Sequence, residues 1–322
     1  MEVCTTVDLK AEVAAAERRI RPHVRETPVD VSRAIGPGGD ARVLLKMENL
    51  QITGSFKLRG AMNKLLSLTP EQRARGIVTA SSGNHGAAVA YGLKKLGIPG
   101  IIYVPENASP AKIANIRSYG AEVRTHATDS GLTEIYARRH ASDSGQVYIS
   151  PYNDPSVVAG QGTIGLELSR QLESIDALYV ALGGGGLISG TGGYLKEIGR
   201  RVEVIACSPE NSAVMHHSLR AGRILAMESK PTLSDGKAGA VEAGAITLES
   251  CRRYVDRSIL VTEDEIRDAM RLVIDRHHTL IEGAAGVAVA GCIKDKDRRA
   301  DHMIVIVLCG ANISRDRLKE VL

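Results

Sequence analysis

Short apolar segments that end in glycine-containing turns alternate with helical patterns along most of this 322-residue chain. Parallel strands need crossovers long enough to hold a helix, so this alternation predicts parallel sheets packed between helices. We therefore expect an α/β fold, organised as one large or two modest domains. The predicted strands span residues 41–47, 76–79, 101–104, 122–125, 147–149, 177–182, 202–207 and 303–309.

The composition is that of a globular protein and argues against several classes of function. Apolar residues make up 43% and charged residues 24% of the chain, and the formal net charge is only +4. Because there is no Trp and a single Phe, a stacking surface for single-stranded nucleic acid is not expected. No apolar run approaches about 20 residues, so we expect no membrane span. The N-terminus also lacks the pattern of a signal peptide.

The five cysteines are widely scattered and include no Cys-x-x-Cys pair. This arrangement indicates neither a disulfide framework nor a zinc site. A reducing, cytoplasmic location is the simplest interpretation of these cysteines.

Lys57 begins a predicted helix that runs to residue 66, directly after the only Phe of the chain and between Gly54 and Gly60. The helix dipole at this position disfavours the positive charge of an ammonium group. A neutral amine is what Schiff-base chemistry requires. Taken alone, however, a lysine in a helix is usually a solvated surface residue.

A turn at residues 81–86 has the sequence Ser-Ser-Gly-Asn-His-Gly and follows a predicted strand. Ligands bind beyond the carboxyl ends of strands in sheets of this kind, and N–H groups at the start of a helix attract anions. The alternative is a simple turn in which Ser82 or Asn84 caps the helix, a contribution of about 1 kcal/mol. We interpret His85 as structural, since it stands beside a glycine turn.

Gly183, Gly184, Gly185 and Gly186 follow the predicted strand at 177–182 and precede a helix that starts at Leu187. Only glycine lets the backbone approach an anion closely with several N–H groups, which indicates a phosphate site. A nucleotide P-loop would need Gly-Lys-Ser/Thr, and a dinucleotide fingerprint would need Gly-x-Gly-x-x-Gly; neither is present. Glycine-rich turns also serve close packing alone, and that alternative stays open.

The segment Ser-Phe-Lys-Leu-Arg-Gly-Ala at 55–61 resembles the cofactor-lysine motif of the fold-type-II pyridoxal phosphate enzymes, specifically the serine/threonine dehydratase and serine racemase family. The similarity extends from about Glu26 to Asn312, with four motifs in the expected order. It implies a tryptophan-synthase-β-like fold with two three-layer domains, each built on a parallel sheet. Residues 1–54 and 151–322 would form the large cofactor-binding domain, and residues 55–150 the small domain.

The resemblance also implies roles within the site. Lys57 is expected to form a Schiff base with pyridoxal 5'-phosphate and, once released, to take the Cα proton of the substrate. Ser82 matches the residue that acts as acid and base in racemases, on the face opposite the lysine. Cys309, otherwise a small buried residue, matches the partner of the pyridine nitrogen, and a neutral thiol there favours elimination over transamination. Glu282 matches a glutamate near the ring, with a surface helix cap as the alternative.

The expected cofactor-binding residues are Phe56, Lys57, Asn84, Gly183, Gly184, Gly185, Gly186, Leu187 and Cys309. The expected substrate-binding residues are Ser81, Ser82, Gly83, Asn84 and His85. The implied activity is that of a lyase that removes water from a small β-hydroxy amino acid such as L-threonine or L-serine, giving a 2-oxo acid and ammonia, in a homodimer. Two alternatives are a serine racemase and a hydroxyectoine-pathway dehydratase acting on a hydroxylated diaminobutyrate-type substrate, which the stretch at 235–244 resembles.

The sequence departs from this family at one site. Many relatives bind a structural divalent cation through a glutamate and an aspartate, which are Ser208 and Val214 here. Valine offers no ligand to a hard cation, so we expect no metal. The chain ends nine residues after Ile313, and we therefore expect no C-terminal amino-acid-sensing domain.

Overall fold

The computed structural model describes residues 8–35, 42–234, 241–299 and 301–322, and within these ranges the chain forms two β-sheets. The strands are β1 (Val29–Ser32), β2 (Arg42–Lys46), β3 (Ile77–Ala80), β4 (Gly100–Val104), β5 (Glu122–Thr125), β6 (Val147–Tyr148), β7 (Ala177–Ala181), β8 (Glu203–Pro209), β9 (Arg257–Val261) and β10 (Met303–Val307). The larger sheet has six strands in the order β1-β2-β10-β7-β8-β9, and the smaller has four in the order β5-β4-β3-β6.

Helices connect most of these strands. They are α1 (Leu9–Ile20), α2 (Lys57–Ser67), α3 (Pro70–Arg75), α4 (Asn84–Leu96), α5 (Pro110–Ser118), α6 (Ser130–Ser144), α7 (Pro155–Gln171), α8 (Gly186–Glu197), α9 (Val214–Ala221), α10 (Ile246–Tyr254), α11 (Glu263–His277), α12 (Gly283–Lys294) and α13 (Arg315–Val321). Single 3-10 turns occupy Arg21–His23, Glu48–Leu50 and Glu210–Ser212. Among the described helices, none combines the length and the apolar character needed to cross a bilayer.

The pairing of the strands confirms the expected α/β fold with parallel sheets. Among the described strands every pairing is parallel except that of β1 with β2. The main hydrophobic core surrounds the six-stranded sheet, where α12 packs on β7, β8, β9 and β10, and α8 packs on β7 and β8. Strand β10 is buried from Ile304 onward, as expected for a central parallel strand.

Local sequence explains where several helices begin. Helix α11 starts with a capping box, in which Thr262 Oγ1 accepts from the N–H of Glu265 and the Glu265 carboxylate accepts from the N–H of Thr262. A threonine followed three residues later by a glutamate is the typical arrangement of such a box. Ser109 stands at the N-cap of α5, but its side chain makes no capping hydrogen bond.

The four strands of the smaller sheet all lie between residues 77 and 148. This range falls inside the predicted small domain at 55–150. The strands of the larger sheet lie outside it. The exact division into a small domain and a large domain of residues 1–54 and 151–322 stays a proposal, which the separation of the two sheets supports.

Candidate active site

A cavity of about 750 Å³ opens where strands of both sheets end. Ser81 follows β3, Gly183 comes shortly after β7, and Cys309 comes shortly after β10. Such concave edges of parallel sheets are where α/β proteins bind ligands. The wall of this cavity contains all the predicted cofactor- and substrate-binding residues, namely Phe56, Lys57, Ser81, Ser82, Gly83, Asn84, His85, Gly183, Gly184, Gly185, Gly186, Leu187 and Cys309. Their individual roles stay predictions.

The turn that precedes α2 is held against the end of β10 by backbone hydrogen bonds. The N–H of Phe56 donates to the carbonyl of Cys309 at 3.0 Å, and the N–H of Ala311 donates to the carbonyl of Gly54 at 2.9 Å. Gly54 has a φ of +73°, and a Cβ there would lie 2.6 Å from a side-chain oxygen of the loop after β10. Only glycine fits this position. These contacts place Lys57 and Cys309 next to the same turn.

The side chain of Lys57 lies in the cavity wall. Its Nζ donates to the carbonyl of Pro151 at 2.8 Å and lies 5.2 Å from the centre of the Phe56 ring. The interpretation of Lys57 as a solvated surface residue is therefore wrong. A lysine held by a backbone carbonyl inside a cavity presents a primary amine at a defined place.

The loop between β3 and α4 turns back on itself. The N–H of Gly83 donates to Oγ of Ser81 at 3.2 Å, and a Cβ at Gly86 would lie 2.1 Å from the carbonyl oxygen of Ser81. Gly83 occupies the N-cap of α4, and no side chain makes a capping bond. The alternative in which Ser82 or Asn84 caps this helix is therefore wrong. The first N–H groups of α4 lack partners within the helix and lie at the cavity wall, which suits a carboxylate.

His85 is almost fully buried, and its ring is neutral. Its Nε2 lies 3.1 Å from the carbonyl oxygen of Ile149, so the ring proton is placed on that nitrogen. Burial, and then the positive charge of Lys57, lower the pKa of His85 to about 3. A ring that stays neutral and is tied to the backbone supports the structural interpretation of this residue.

Asn84 belongs to a hydrogen-bonded chain with Glu282 and Asn312. Its Nδ2 donates to both carboxylate oxygens of Glu282, at 2.8 and 2.9 Å, and its Oδ1 accepts from Nδ2 of Asn312 at 2.6 Å. Glu282 directly precedes α12, but it is only 8% exposed and makes no capping bond. The alternative in which Glu282 is a surface helix cap is therefore wrong. Asn84 is held at the cavity wall from two sides.

The four glycines form a tight turn between β7 and α8. Gly185 has a φ of +86° and occupies the N-cap of α8. A Cβ at Gly184 would lie 2.4 Å from the ring of Tyr152, and a Cβ at Gly185 would lie 2.9 Å from the side chains of Thr247 and Cys251. Close packing therefore demands glycine here. The first N–H groups of α8 also lack partners within the helix, so the same turn can bind an anion.

The cavity wall also contains a hydrogen-bonded group of polar residues that was not predicted from the sequence. Arg138 of α6 bonds to the carboxylate of Glu134 at 2.8 Å and to that of Glu242, which also accepts from Asn153 at 2.8 Å. The N–H of Glu242 donates to Oη of Tyr152 at 2.9 Å, and burial raises the pKa of the Glu242 carboxyl. Glu242 belongs to the stretch at 235–244, but no motif indicates its contacts with Arg138 and Asn153, because these residues come together only when the chain folds.

The two positions at which we expect metal ligands to be lost hold no cation ligand. Ser208, in β8, is fully buried and donates to the carbonyl of Leu182 at 3.2 Å. Val214 begins α9 and is buried. In the part of the chain that the structure describes, no group of three or more His, Cys, Asp or Glu could hold a metal ion. The expected absence of a metal stays a prediction.

The chemistry of the cavity wall fits pyridoxal phosphate. The amine of Lys57 is the group that an aldehyde requires. The turn at Gly184 and Gly185 leaves no room for a Cβ, yet it stands at a helix N-terminus that favours a phosphate. Cys309, fully buried two residues after β10, would offer its thiol to a ring nitrogen. An amine, an anion cradle and this thiol therefore meet in one cavity.

Comparisons with known proteins agree with this geometry. The family model described as pyridoxal-phosphate dependent enzyme matches residues 20–310. The chain is 38% identical to the L-threonine ammonia-lyase of Thermotoga maritima, over 97% of this chain and 77% of that protein. It is 36% identical to the serine racemase of Dictyostelium discoideum, over 100% of both chains. The structure of maize serine racemase matches with a TM-score of 0.91 at 33% identity, over 97% of this chain and 95% of that one.

Proposed function

We propose that this chain, which belongs to the family of pyridoxal-phosphate dependent enzymes, removes water from a small β-hydroxy amino acid such as L-threonine or L-serine. The products are a 2-oxo acid and ammonia. The observation that carries the proposal is the presence of Lys57 Nζ in the same cavity as the four-glycine turn. The similarity to an L-threonine ammonia-lyase over 97% of this chain supports the same reaction class.

The cofactor, when bound, withdraws electrons from Cα of the substrate and so stabilises negative charge there. The residues that would hold it are Phe56, Lys57, Asn84, Gly183, Gly184, Gly185, Gly186, Leu187 and Cys309. The amine of Lys57 would bind its aldehyde, and the N–H groups at the start of α8 would bind its phosphate. An uncharged thiol at Cys309 does not hold a ring nitrogen protonated, which favours elimination.

The other residues of the cavity orient the substrate and move one proton. The N–H groups at the start of α4, together with Ser81, Ser82, Gly83 and His85, would bind the substrate carboxylate. Lys57 Nζ would take the Cα proton, and the β-hydroxyl would gain a proton and leave as water. The neutral ring of His85 takes no part in this proton transfer. Water then converts the unsaturated amine product to the 2-oxo acid and ammonia.

A panel of β-hydroxy amino acids tests the proposed reaction. We expect the cofactor-loaded protein to release a 2-oxo acid from L-threonine or L-serine, and Lys57→Ala to lower the rate at least about 10³-fold because the base is lost. The release of 2-oxo acid is measured by a coupled dehydrogenase. Failure of the loaded wild-type protein to act on any member of the panel, including a hydroxylated diaminobutyrate, would refute the proposal.

A serine racemase is the second candidate, because Ser82 lines the cavity on the loop between β3 and α4. The Dictyostelium relative is a serine racemase with 36% identity. If this function is correct, serine inversion exceeds pyruvate release, and Ser82→Ala abolishes inversion while elimination continues. Chiral chromatography of the serine that remains separates the two candidates. Most of the stretch on which the hydroxyectoine-pathway alternative depends, residues 235–240, lies outside the described residues.

We also propose that the protein acts on amino acids in the cytoplasm as a homodimer. The cysteines of the described ranges, Cys207, Cys251, Cys292 and Cys309, are buried and form no disulfide, which agrees with a reducing compartment. Light scattering coupled to size-exclusion chromatography measures the oligomeric state directly.

A further inference from the structure

Helix α2 carries a second charged side chain, Arg59, two residues after Lys57. Successive residues of an α-helix are about 100° apart around the axis, so these two side chains leave the helix about 200° apart. Lys57 lies in the cavity wall, whereas Arg59 is fully buried. A rotation of α2 about its axis would therefore move both side chains, which lie on opposite sides of the helix.

The guanidinium of Arg59 is gripped by two carboxylates. Its Nε and Nη2 donate to Glu48, both at 2.8 Å. Its Nη1 and Nη2 donate to Glu167 at 2.6 and 2.8 Å, and Nη1 also donates to Oγ1 of Thr163 at 3.1 Å. All three nitrogens are therefore bonded, and each carboxylate accepts from two of them. A lysine could not reproduce this geometry, because its ammonium group has no fork.

The two carboxylates are fixed by other elements of the fold. Glu167 lies on α7 and also accepts from Lys46, at the end of β2, at 2.6 Å and from Arg21 at 2.6 Å. Glu48 accepts from Oγ1 of Thr27 at 2.5 Å. Arg59 thus ties α2 to α7 and, through Glu167, to β2 of the six-stranded sheet.

Because α2 and α7 are in close contact, the bonds between Arg59 and Glu167 are sensitive to small rotations of α2. A Cβ at Gly160 of α7 would lie 2.6 Å from Cα of Gly60 and 2.7 Å from the carbonyl oxygen of Arg59. The carbonyl that accepts from Lys57 Nζ belongs to Pro151, four residues before α7 begins. Lys57 therefore contacts the chain that leads into α7, and Arg59 contacts α7 itself.

A buried ion cluster of this kind is not an efficient way to gain stability. Taking charges out of water is unfavourable, and well-packed apolar residues of similar volume often stabilise a protein as well or better. What a doubly forked guanidinium supplies is a fixed orientation. We propose that Arg59 is a positioning residue, which sets the rotation of α2 and thereby the direction of the Lys57 amine. This inference rests on the proposed role of Lys57 as the cofactor-binding base.

Comparison of Arg59→Lys with Arg21→Lys tests the inference. Both substitutions keep the positive charge and weaken the same cluster, but Arg21 follows α1 and does not share a helix with Lys57. We expect Arg59→Lys to lower kcat about 10- to 100-fold with KM within about threefold, because small misplacement of a reacting group reduces rate steeply. We also expect the pH midpoint of the visible absorption band of the bound cofactor to move. Arg21→Lys should leave kcat and the pH midpoint of the absorption band unchanged. Its melting temperature should fall by an amount similar to that of Arg59→Lys.

Each outcome has a distinct meaning. If Arg59→Lys and Arg21→Lys reduce kcat equally, or if Arg59→Lys keeps the wild-type kcat and absorption midpoint, Arg59 is structural only and the inference is wrong. If Arg59→Lys does not fold, Thr163→Val, which removes one bond to the guanidinium, should lower kcat two- to tenfold at constant KM; a wild-type kcat overturns the inference. If the wild-type protein neither attaches the cofactor nor releases a 2-oxo acid, the proposed function itself is wrong.

Discussion

At the scale of single residues, His85 shows how burial selects one protonation state of a side chain that could otherwise act as an acid or a base. The ring is 2% exposed, and its Nδ1 has no hydrogen-bond partner among the described residues. Protonation of the ring would place a second positive charge near Lys57 in a buried environment. The ring therefore stays neutral and does not titrate near neutral pH.

We predict that His85 does not titrate between about pH 5 and pH 8, because its pKa is lowered to about 3. The folded pKa is below the unfolded value, so His85 reduces the stability of the fold as pH falls below about 6.5. Histidine NMR measures this titration, with the signal assigned by its loss in His85→Gln. In urea-unfolded protein the same signal should titrate near pH 6.5. A folded-state midpoint between pH 6 and 7 would contradict the buried neutral ring.

Residues whose role depends on type and spacing could be predicted from the sequence. Asn84 and the four glycines stand in motifs that follow strands, Lys57 stands in a motif at the start of a helix, and the structure places all of them in one cavity. Tyr152 and Arg138 could not be predicted in this way. Tyr152 matters because its ring packs on Gly184, and Arg138 because it reaches Glu242 from α6. Neither contact leaves a local pattern in the sequence.

At the scale of elements, the junction of β7 and α8 combines two demands in one turn. The chain must reverse direction against the ring of Tyr152, which leaves no space for a Cβ at Gly184. The start of α8 must also keep its N–H groups accessible to bind an anion. Glycine satisfies both demands, so packing and phosphate binding are coupled at this turn.

We predict that Gly184→Ala raises the Kd for pyridoxal phosphate at least about tenfold, since the added Cβ must displace either the turn or the Tyr152 ring. Gly97→Ala is the matched control. Gly97 ends α4 with a φ of +65°, and a Cβ there meets nothing within 4 Å, so this change should lower stability by about 1 kcal/mol and leave cofactor binding intact. Titration of the apoprotein by visible absorbance measures both Kd values. Unchanged affinity in Gly184→Ala would show that the turn does not hold the phosphate.

The strands that sequence reasoning missed are the two edges of the six-stranded sheet, β1 and β9. Central strands such as β10 are buried on both faces, so their sequences are continuous apolar runs. Strand β1 has only four residues, two of them exposed, and most of β9 is half-buried. Their hydrophobic pattern is therefore weak, and their place in the sheet is decided by pairing with a neighbour.

At the scale of the whole molecule, one cavity draws its walls from both sheets, and one buried ion cluster joins the helices behind it. Within the cluster, burial alone would raise the pKa of Glu167. The charges and hydrogen bonds of Arg59 and Lys46 outweigh burial and lower this pKa to about 2. The folded state therefore favours the ionised carboxylate, which no local sequence pattern indicates because the partners are distant along the chain.

We predict that the free energy of unfolding falls by about 2 kcal/mol between pH 5 and pH 3 through Glu167 alone. The sign follows from a folded pKa below the unfolded one, since stability is present above the unfolded value and is lost as pH falls. Urea unfolding at several pH values measures this slope. Glu167→Gln should be less stable at pH 7 and should show a shallower decline on acidification. An equal decline in both proteins would contradict the ionised, cation-bound state of Glu167.

The central claim is that Lys57 is the residue that binds the cofactor, and borohydride reduction tests it most directly. The purified protein is loaded with pyridoxal phosphate, reduced, digested and mapped by mass spectrometry. We expect a stable pyridoxyl group on Lys57. A label on Lys112, another lysine of the cavity wall, or no label on any lysine, would contradict it.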